Sequence, residues 1–393
     1  MQDLKMDYQI KVQKIFIPKG QRVIITSDIH GNLMYLKGLL HKVAFSQEDI
    51  LIIAGDIVEK GNKSLATLRY LMELQKTHQV YLVYGNVDAG VIEHLVTPEI
   101  FYNRYCSRMQ FWGQCIYKEM LMEQGMILPE KGKWSIHAVK IEETGIYKEV
   151  SIEEAWHCIR EVYKKELQFI QNLPVILDAG DFLVTHAGLP SEAYQGLSPK
   201  EVEQMVGWGN FQDEGLYFSK YVFVGHWPVT IYKREHMDSS PIINREKKII
   251  SLDGGCAVKR DGQLNAVAFS DIASEKFEIV SYDDFPTARV LENSVGSKES
   301  FYIRWQDRHV EWIKDVEEGS IVRVLNTKEE HWIPKQYLWE EEDGLSCSDY
   351  TDYVLPLKAG EEVSVLGEYK KGYLVRKNGV LGWYFGLLEY LLF

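Results

Sequence analysis

Six side chains able to hold a divalent metal each follow directly on an apolar run. They are Asp28 and His30 in S-D-I-H-G, Asp56 in A-G-D, Asn86 in Y-G-N, His186 in T-H-A-G and His226 in G-H-W-P. Carboxylate and amide oxygens mixed with imidazole nitrogens suit first-row divalent ions better than calcium or a thiophilic metal. Six ligands exceed what one catalytic ion takes while keeping an open position, so two ions sharing a bridging carboxylate fit better. Manganese leads, with iron, zinc, cobalt or nickel also suited. Each residue alone has a plainer reading: Asp28 as a helix cap, His30 as a loop histidine, Gly85-Asn86 as a turn, His186 and His226 as hydrogen-bonded strand-end groups. Their joint placement, with glycines beside them that free the backbone for tight loops, decides for a metal site.

Such loops meet only if the elements before them run side by side. Apolar, β-branched runs at 21–28, 49–56 and 80–86 alternate with helical patterns at 32–43 and 64–74 and a shorter one through Val91, Ile92 and Leu95. That alternation predicts right-handed crossovers and a largely parallel sheet, whose carboxyl-end loops converge on one edge. Residues 97–172 read as a mostly helical insertion, in which S-I-E-E at Ser151 has the form of a capping box opening a helix that runs to Leu173-Pro174. Strands follow at 175–178, 181–185, 221–225, 241–244, 248–252 and 263–269. The fold class is therefore α/β, two packed sheets with helices outside, over residues 1–285. Beyond it, short apolar runs broken by glycine and charge predict all-β units, a small one at 286–340 and a barrel at 341–393.

The chain of 393 residues is 46% apolar and 26% charged, which suits a globular protein with ample core. No run approaches the ~18 to 20 apolar residues that cross a bilayer, and the first residues lack the apolar stretch of a signal peptide, so a cytoplasmic protein without a membrane partner is expected. A net charge of −13 argues against non-specific nucleic-acid binding. Metal ions can reverse that field locally, which keeps a phosphorylated substrate open. The five scattered cysteines read as reduced thiols.

In this order, D-x-H-G, G-D-x-V-E-K-G, G-N-x-D, H-A-G-L and G-H-x-P resemble the calcineurin-like metallophosphoesterase superfamily. The likeness is to its phosphoprotein phosphatase branch and the related bacterial dinucleoside tetraphosphate hydrolases, over about residues 21–270; IISLDGGCAV (249–258) is similar to that branch's closing strand. The resemblance implies a two-sheet sandwich flanked by helices. It implies that Asp28, His30 and Asp56 hold one ion, and that Asp56 as bridge, with Asn86, His186 and His226, holds the other. Two such ions would polarise a phosphoryl group and deprotonate a bridging water, which attacks phosphorus in line without a covalent intermediate.

The sequence also departs from that branch. Where the phosphatases read R-G-N-H-E, this chain reads Tyr84-Gly85-Asn86-Val87-Asp88. A positioned acid is worth about 10²–10⁴ in rate, mostly for poor leaving groups, and valine cannot supply it. Asp88 is the candidate substitute, with His137 and His157 of the insertion behind it. Tyr84 replaces one phosphate-binding arginine, a second expected soon after VGWGN (206–210) has no counterpart, and D-R-G becomes Glu59-Lys60-Gly61. Tyr84 and Lys60 are then the candidate substrate contacts. The expected activity is hydrolysis of a phosphate ester or anhydride, with activated esters, diesters and anhydrides favoured over phosphoserine; the substrate is a small molecule, a nucleotide or a phosphoprotein. The alternative is a catalytically weak metal-binding module acting through a partner. Residues 358–390 resemble a bacterial Src-homology-3-like region, with an Asn378-Gly379 hairpin turn, and Tyr369, Tyr373, Trp383 and Tyr384 either line a peptide groove or form its core. Retention of all six ligand positions favours the enzyme.

Overall fold

A computed structural model describes residues 11–97, 113–127, 137–141, 147–341 and 344–391. An edge strand, β1 (Val12–Lys14), precedes the repeating part of the chain. There β2 (Val23–Thr26), β3 (Ile50–Ile53) and β4 (Gln79–Leu82) run parallel and are joined through α1 (Leu33–Lys42) and α2 (Ser64–Leu74). Every residue of β2 and β3 is buried, because alternate side chains enter two covered layers. Val23, Ile25, Ile50 and Ile52 fill the space between two sheets, whereas Ile24, Leu51 and Ile53 pack with Leu36, Leu39 and Leu68 of the helices.

From the end of β4 the chain enters α3 (Asn86–Val96), then α4 (Gln114–Glu123), a three-stranded antiparallel sheet of β5 (Met126–Ile127), β6 (His137–Ile141) and β7 (Tyr147–Ser151), and helices α5 (Ile152–Val162) and α6 (Lys164–Gln171). The insertion expected to be mostly helical thus carries a sheet. HAVKI and YKEVS break their few apolar residues with lysine and glutamate, so neither strand shows as an apolar run. The capping box at Ser151 forms: Ser151 Oγ accepts from the Glu154 amide at 3.1 Å, and Glu154 Oε2 accepts from the Ser151 amide at 3.1 Å. The helix it opens breaks at Tyr163 instead of running on to Leu173.

The second sheet is built from β8 (Ile176–Asp178), β9 (Phe182–Val184), β10 (Tyr221–Val224), β11 (Ile242–Asn244) and β12 (Ile249–Ser251), with α7 (Pro199–Gly207) between β9 and β10. Its order is β1-β8-β9-β10-β12-β11. Finally β13 (Leu264–Phe269) returns antiparallel beside β2, and β14 (Glu278–Tyr282) closes the first sheet as β14-β13-β2-β3-β4. This is the expected two-sheet α/β layering, with further all-β strands after it.

In the C-terminal region, pairing crosses the division expected at residue 340/341. Leu338–Glu341 pairs with Gly344–Cys347, which also pairs with His309–Val316, while Thr287–Val290 pairs with both Glu362–Tyr369 and Leu388–Tyr390. The Asn378-Gly379 turn forms with positive φ at both residues, 51° and 85°. Trp383 and Tyr384 are buried, while Tyr369 and Tyr373 are half-buried. Cys115, Cys158, Cys256 and Cys347 are free thiols, and Cys106 lies outside the described residues. Among the described residues no helix is long and apolar enough to cross a membrane.

Arg376 ties this region to the sheets before it. Its Nη1 lies 2.8 Å from Asp283 Oδ2, with side-chain exposures of 3% and 8%, and its Nη2 donates to the Asp261 carbonyl. Removing one partner of a buried pair strands the other charge. Arg376→Met should therefore lower stability by about 3–5 kcal/mol in urea unfolding. An unchanged midpoint would show that the C-terminal region docks without this pair.

Candidate metal centre

The loops after β2, β3, β4, β9 and β10 meet at the carboxyl edge, as the strand order requires. The first two are laced together: the Asp28 amide donates to Gly55 O (3.0 Å), His30 to Asp56 O (2.9 Å) and Gly31 to Ile57 O (2.8 Å). Asp28, His30, Asp56 and His226 all lie in the left-handed region, with φ of 52°, 50°, 52° and 71°. Non-glycine residues adopt it at a cost of roughly 1–3 kcal/mol each, and such strain collects at functional sites. These turns aim the four side chains inward.

All six expected ligands come together. Asp28, Asp56 and His186 offer ligand atoms within 4.8 Å of one another. The two oxygens of Asp56 face different imidazoles: Oδ2 stands 3.7 Å from His30 Nε2, and Oδ1 stands 3.4 Å from His186 Nε2. Asp28 Oδ1 is 3.9 Å from the same His30 nitrogen. Asn86 Oδ1 lies 3.0 Å from both His186 Nε2 and His226 Nδ1. That 3.0 Å separation is close to the edge of an octahedron whose ligands stand roughly 2.1 Å from an ion. The other His186 nitrogen, Nδ1, sits 2.8 Å from Ala54 O, to which it donates its proton, so that with an ion bound Nε2 would present a lone pair to the centre. The donors present therefore fit divalent ions.

Electrostatics point the same way. Burial, then the nearby Asp253 carboxylate, pushes Asp28 well above the usual carboxylate range. Burial lowers His30 to about 3 and His226 to about 4. Asp56 goes the other way: burial would raise it, but His186 and His30 hold it well below its ordinary value. His186 is likewise opposed by burial yet raised to about 10 by Asp56. By themselves, the protein groups balance this corner with a proton on His186. A divalent ion would supply that charge instead and release the proton.

Two glycines are required by close approach. A Cβ on Gly85 would fall 2.1 Å from Asp56 Oδ1, and one on Gly225 would fall 2.0 Å from Asp28 Oδ2.

The expected acid, Asp88, is engaged elsewhere. It is fully buried, its Oδ1 accepts from the Ile57 (3.0 Å) and Val58 (3.4 Å) amides, and its Oδ2 accepts from the Gly85 amide at 3.1 Å. Burial and Asp56 raise it to about 7, yet the donors it meets are backbone amides that tie the second metal loop to the third. Val87 is also fully buried, and what it contributes is its amide, 2.9 Å from Asp56 Oδ1. Tyr84 is 9% exposed, with its amide on Pro174 O. Lys60 lies on the exposed rim, and its charge acts on His30, Asp56 and His226. His157 occupies an exposed face of α5, and His137 falls in β6, where only the backbone is described.

Sequence reasoning missed two devices. Asp253, 1% exposed, sits against Asp28 and accepts from the Gly255 amide at 2.7 Å; its place directly after β12, matching the other ligands' strand ends, was the available signal. Glu59, beside Lys60, turns away from the centre and caps α4, accepting from Cys115 N (3.2 Å) and Ile116 N (2.8 Å). Glu119 of α4 returns the favour at α2, accepting from Ser64 N (2.8 Å) and Leu65 N (2.9 Å). Carboxylates at both helix starts meet the positive end of each dipole and lock the insertion to the metal loop.

Residues 21–230 match the family described as calcineurin-like phosphoesterase. The chain belongs to that family, one of hydrolases acting on phosphoester bonds. It is similar to bis(5'-nucleosyl)-tetraphosphatase, symmetrical, of Vibrio parahaemolyticus, at 27% identity over 63% of this chain and 95% of that relative. It is also similar to the protein of that name from Buchnera aphidicola, at 41% identity, but spans only 25% of that relative's length and 18% of its own. Among solved structures, a metallophosphoesterase from Sphaerobacter thermophilus is 16% identical with a TM-score of 0.36, over 67% of this chain and 88% of the other.

Gly85→Ala tests the packing of this phosphoesterase's metal loops. After incubation with manganese, the metal retained by this variant, read by elemental analysis, should fall below half that of the unsubstituted protein while the circular dichroism spectrum is retained, because Asp56 must move. Full metal content would show that the loop relaxes around the methyl group.

Proposed function

We propose that the chain is a two-ion phosphoesterase that works without a histidine acid and favours substrates whose leaving groups depart unaided. The divided approach to Asp56 carries the reading: one oxygen toward His30 and the other toward His186, as a bridging carboxylate requires. Asp28, His30 and Asp56 would hold one ion; Asp56, Asn86, His186 and His226 the other. Ions bound there would draw charge from phosphoryl oxygens and acidify water. The chain's own groups do the rest. Ala54 O fixes the His186 tautomer, the Val87 amide steadies Asp56, and Asp88 clamps two metal loops as a positioning residue. Lys60, on the rim, adds positive charge for an incoming phosphate. An open groove of about 690 Å³ starts at Asn86 and runs between α3 and α7, where Lys200 and Gln204 stand on its wall.

The name of the Vibrio relative makes a dinucleoside tetraphosphate the first anhydride to try. A second reading, a partner-binding module with weak catalysis, draws on the Src-homology-3-like resemblance. One observation favours it: Lys371 Nζ lies 3.7 Å from the ring centroid of the half-buried Trp332, an aromatic face that already attracts a cation.

The test compares release of p-nitrophenol from bis(p-nitrophenyl) phosphate with phosphate release from a phosphoserine peptide, in manganese. The diester should be cleaved faster, and Asp56→Asn should lose at least about a hundredfold in rate, the upper end of what even outer partners of metal ligands cost. Faster cleavage of the peptide would overturn the inference from Val87. Absence of hydrolysis with metal bound would favour the partner-binding reading.

A further inference from the structure

A second cavity lies away from the groove at Asn86, where the turn after β12 meets the C-terminal region. Its volume is about 180 Å³, and Lys259, Arg260, Trp305, Trp339 and Asp349 line it. All five stand beyond residues 21–230, and Trp305, Trp339 and Asp349 belong to the chain's all-β extension. The indoles of Trp305 and Trp339 are nearly parallel, 16° apart, with centroids separated by 6.3 Å. Trp305 remains 43% exposed, so part of its ring is open to a ligand. Cations surround it: Lys259 Nζ lies 5.4 Å and the Arg308 guanidinium 4.4 Å from its centroid.

Asp349 supplies the second and independent observation. The residue is 3% exposed, and its Oδ2 is engaged by Lys259 Nζ at 2.9 Å and Thr230 Oγ1 at 3.2 Å. Its Oδ1 is buried and has no hydrogen-bond partner among the described residues. A buried carboxylate oxygen left unmatched is costly, and because Asp349 lines the cavity, a small rotation of its carboxylate would offer that oxygen to a ligand donor.

Flat indole faces, flanking cations and an unmatched acceptor call for one ligand chemistry: a planar ring bearing N–H donors and attached to an anionic group. We propose that this cavity is a binding site for a nucleoside phosphate, with the base stacked on the Trp305–Trp339 wall, a base N–H or amino group donating to the Asp349 carboxylate, and the phosphate held by Lys259 and Arg260. The site is joined to the metal centre by chain. Thr230, which holds Asp349, lies four residues after His226, and Lys259 lies six after Asp253. Val229 N donates to Asp253 O at 2.8 Å, so one hydrogen-bonded unit carries both sites.

The experiment is calorimetric titration of AMP into the full chain in chelator, which silences metal-dependent binding at the other centre and needs no turnover. AMP should bind saturably, ribose 5-phosphate should not, and Trp305→Ala should weaken AMP by about tenfold or more, in line with the loss of one stacking face. Trp305 is exposed enough for the substitution to leave folding intact, and Trp339→Ala, with its unfolding midpoint checked, gives a second reading of the same wall. Absence of AMP binding would overturn the proposal. So would equal binding of ribose 5-phosphate, which would mark an anion site without base recognition, or AMP affinity indifferent to both substitutions.

Discussion

Four carboxylates share one dry corner of this molecule. Asp28, Asp56, Asp88 and Asp253 are each 2% exposed or less, as are His30 and His186. Like charges in a medium of low dielectric repel strongly, and burial alone would neutralise them. The chain meets this with fixed donors: backbone amides on Asp88 and Asp253, the Val87 amide and His186 on Asp56, and the His226 amide on Asp28 at 3.0 Å. What these donors leave over is negative charge aimed at a common point, which is what a pair of divalent ions requires.

The surrounding architecture serves that concentration of charge. Parallel strands bring the loop ends together, left-handed turns point the ligands inward, and glycines at 85 and 225 let the loops touch the carboxylates. Farther out, Glu59 and Glu119 cap each other's helices and brace the loop that carries Asp56. The C-terminal region is fastened through Arg376, and Met237 enters its core. Its contact with Thr230 reaches the loop that carries His226.

How much was legible depended on how local each signal was. Strands β2 and β3 read as apolar runs because both faces of each are covered, and the ligands follow their strands within two to four residues; Ser151 and Glu154 announced their cap by spacing alone. Strands β6 and β7 lack an apolar run, and the partners of Thr287–Val290 lie about a hundred residues or fewer downstream, a distance over which no pattern in the sequence pairs them. Glu59 read only as the replacement for the aspartate of D-R-G, yet its use is set by a helix fifty-odd residues away. Val87 pointed to a missing acid, but burial shows that its backbone is what the site uses.

The central claim is that these six side chains hold two ions. Anomalous scattering at the manganese edge, from crystals grown with the metal, tests it most directly. Two peaks about 3.5–4 Å apart are predicted, one between Asp28, His30 and Asp56 and the other between Asp56, Asn86, His186 and His226. A single peak, or peaks away from Asp56, would contradict the account.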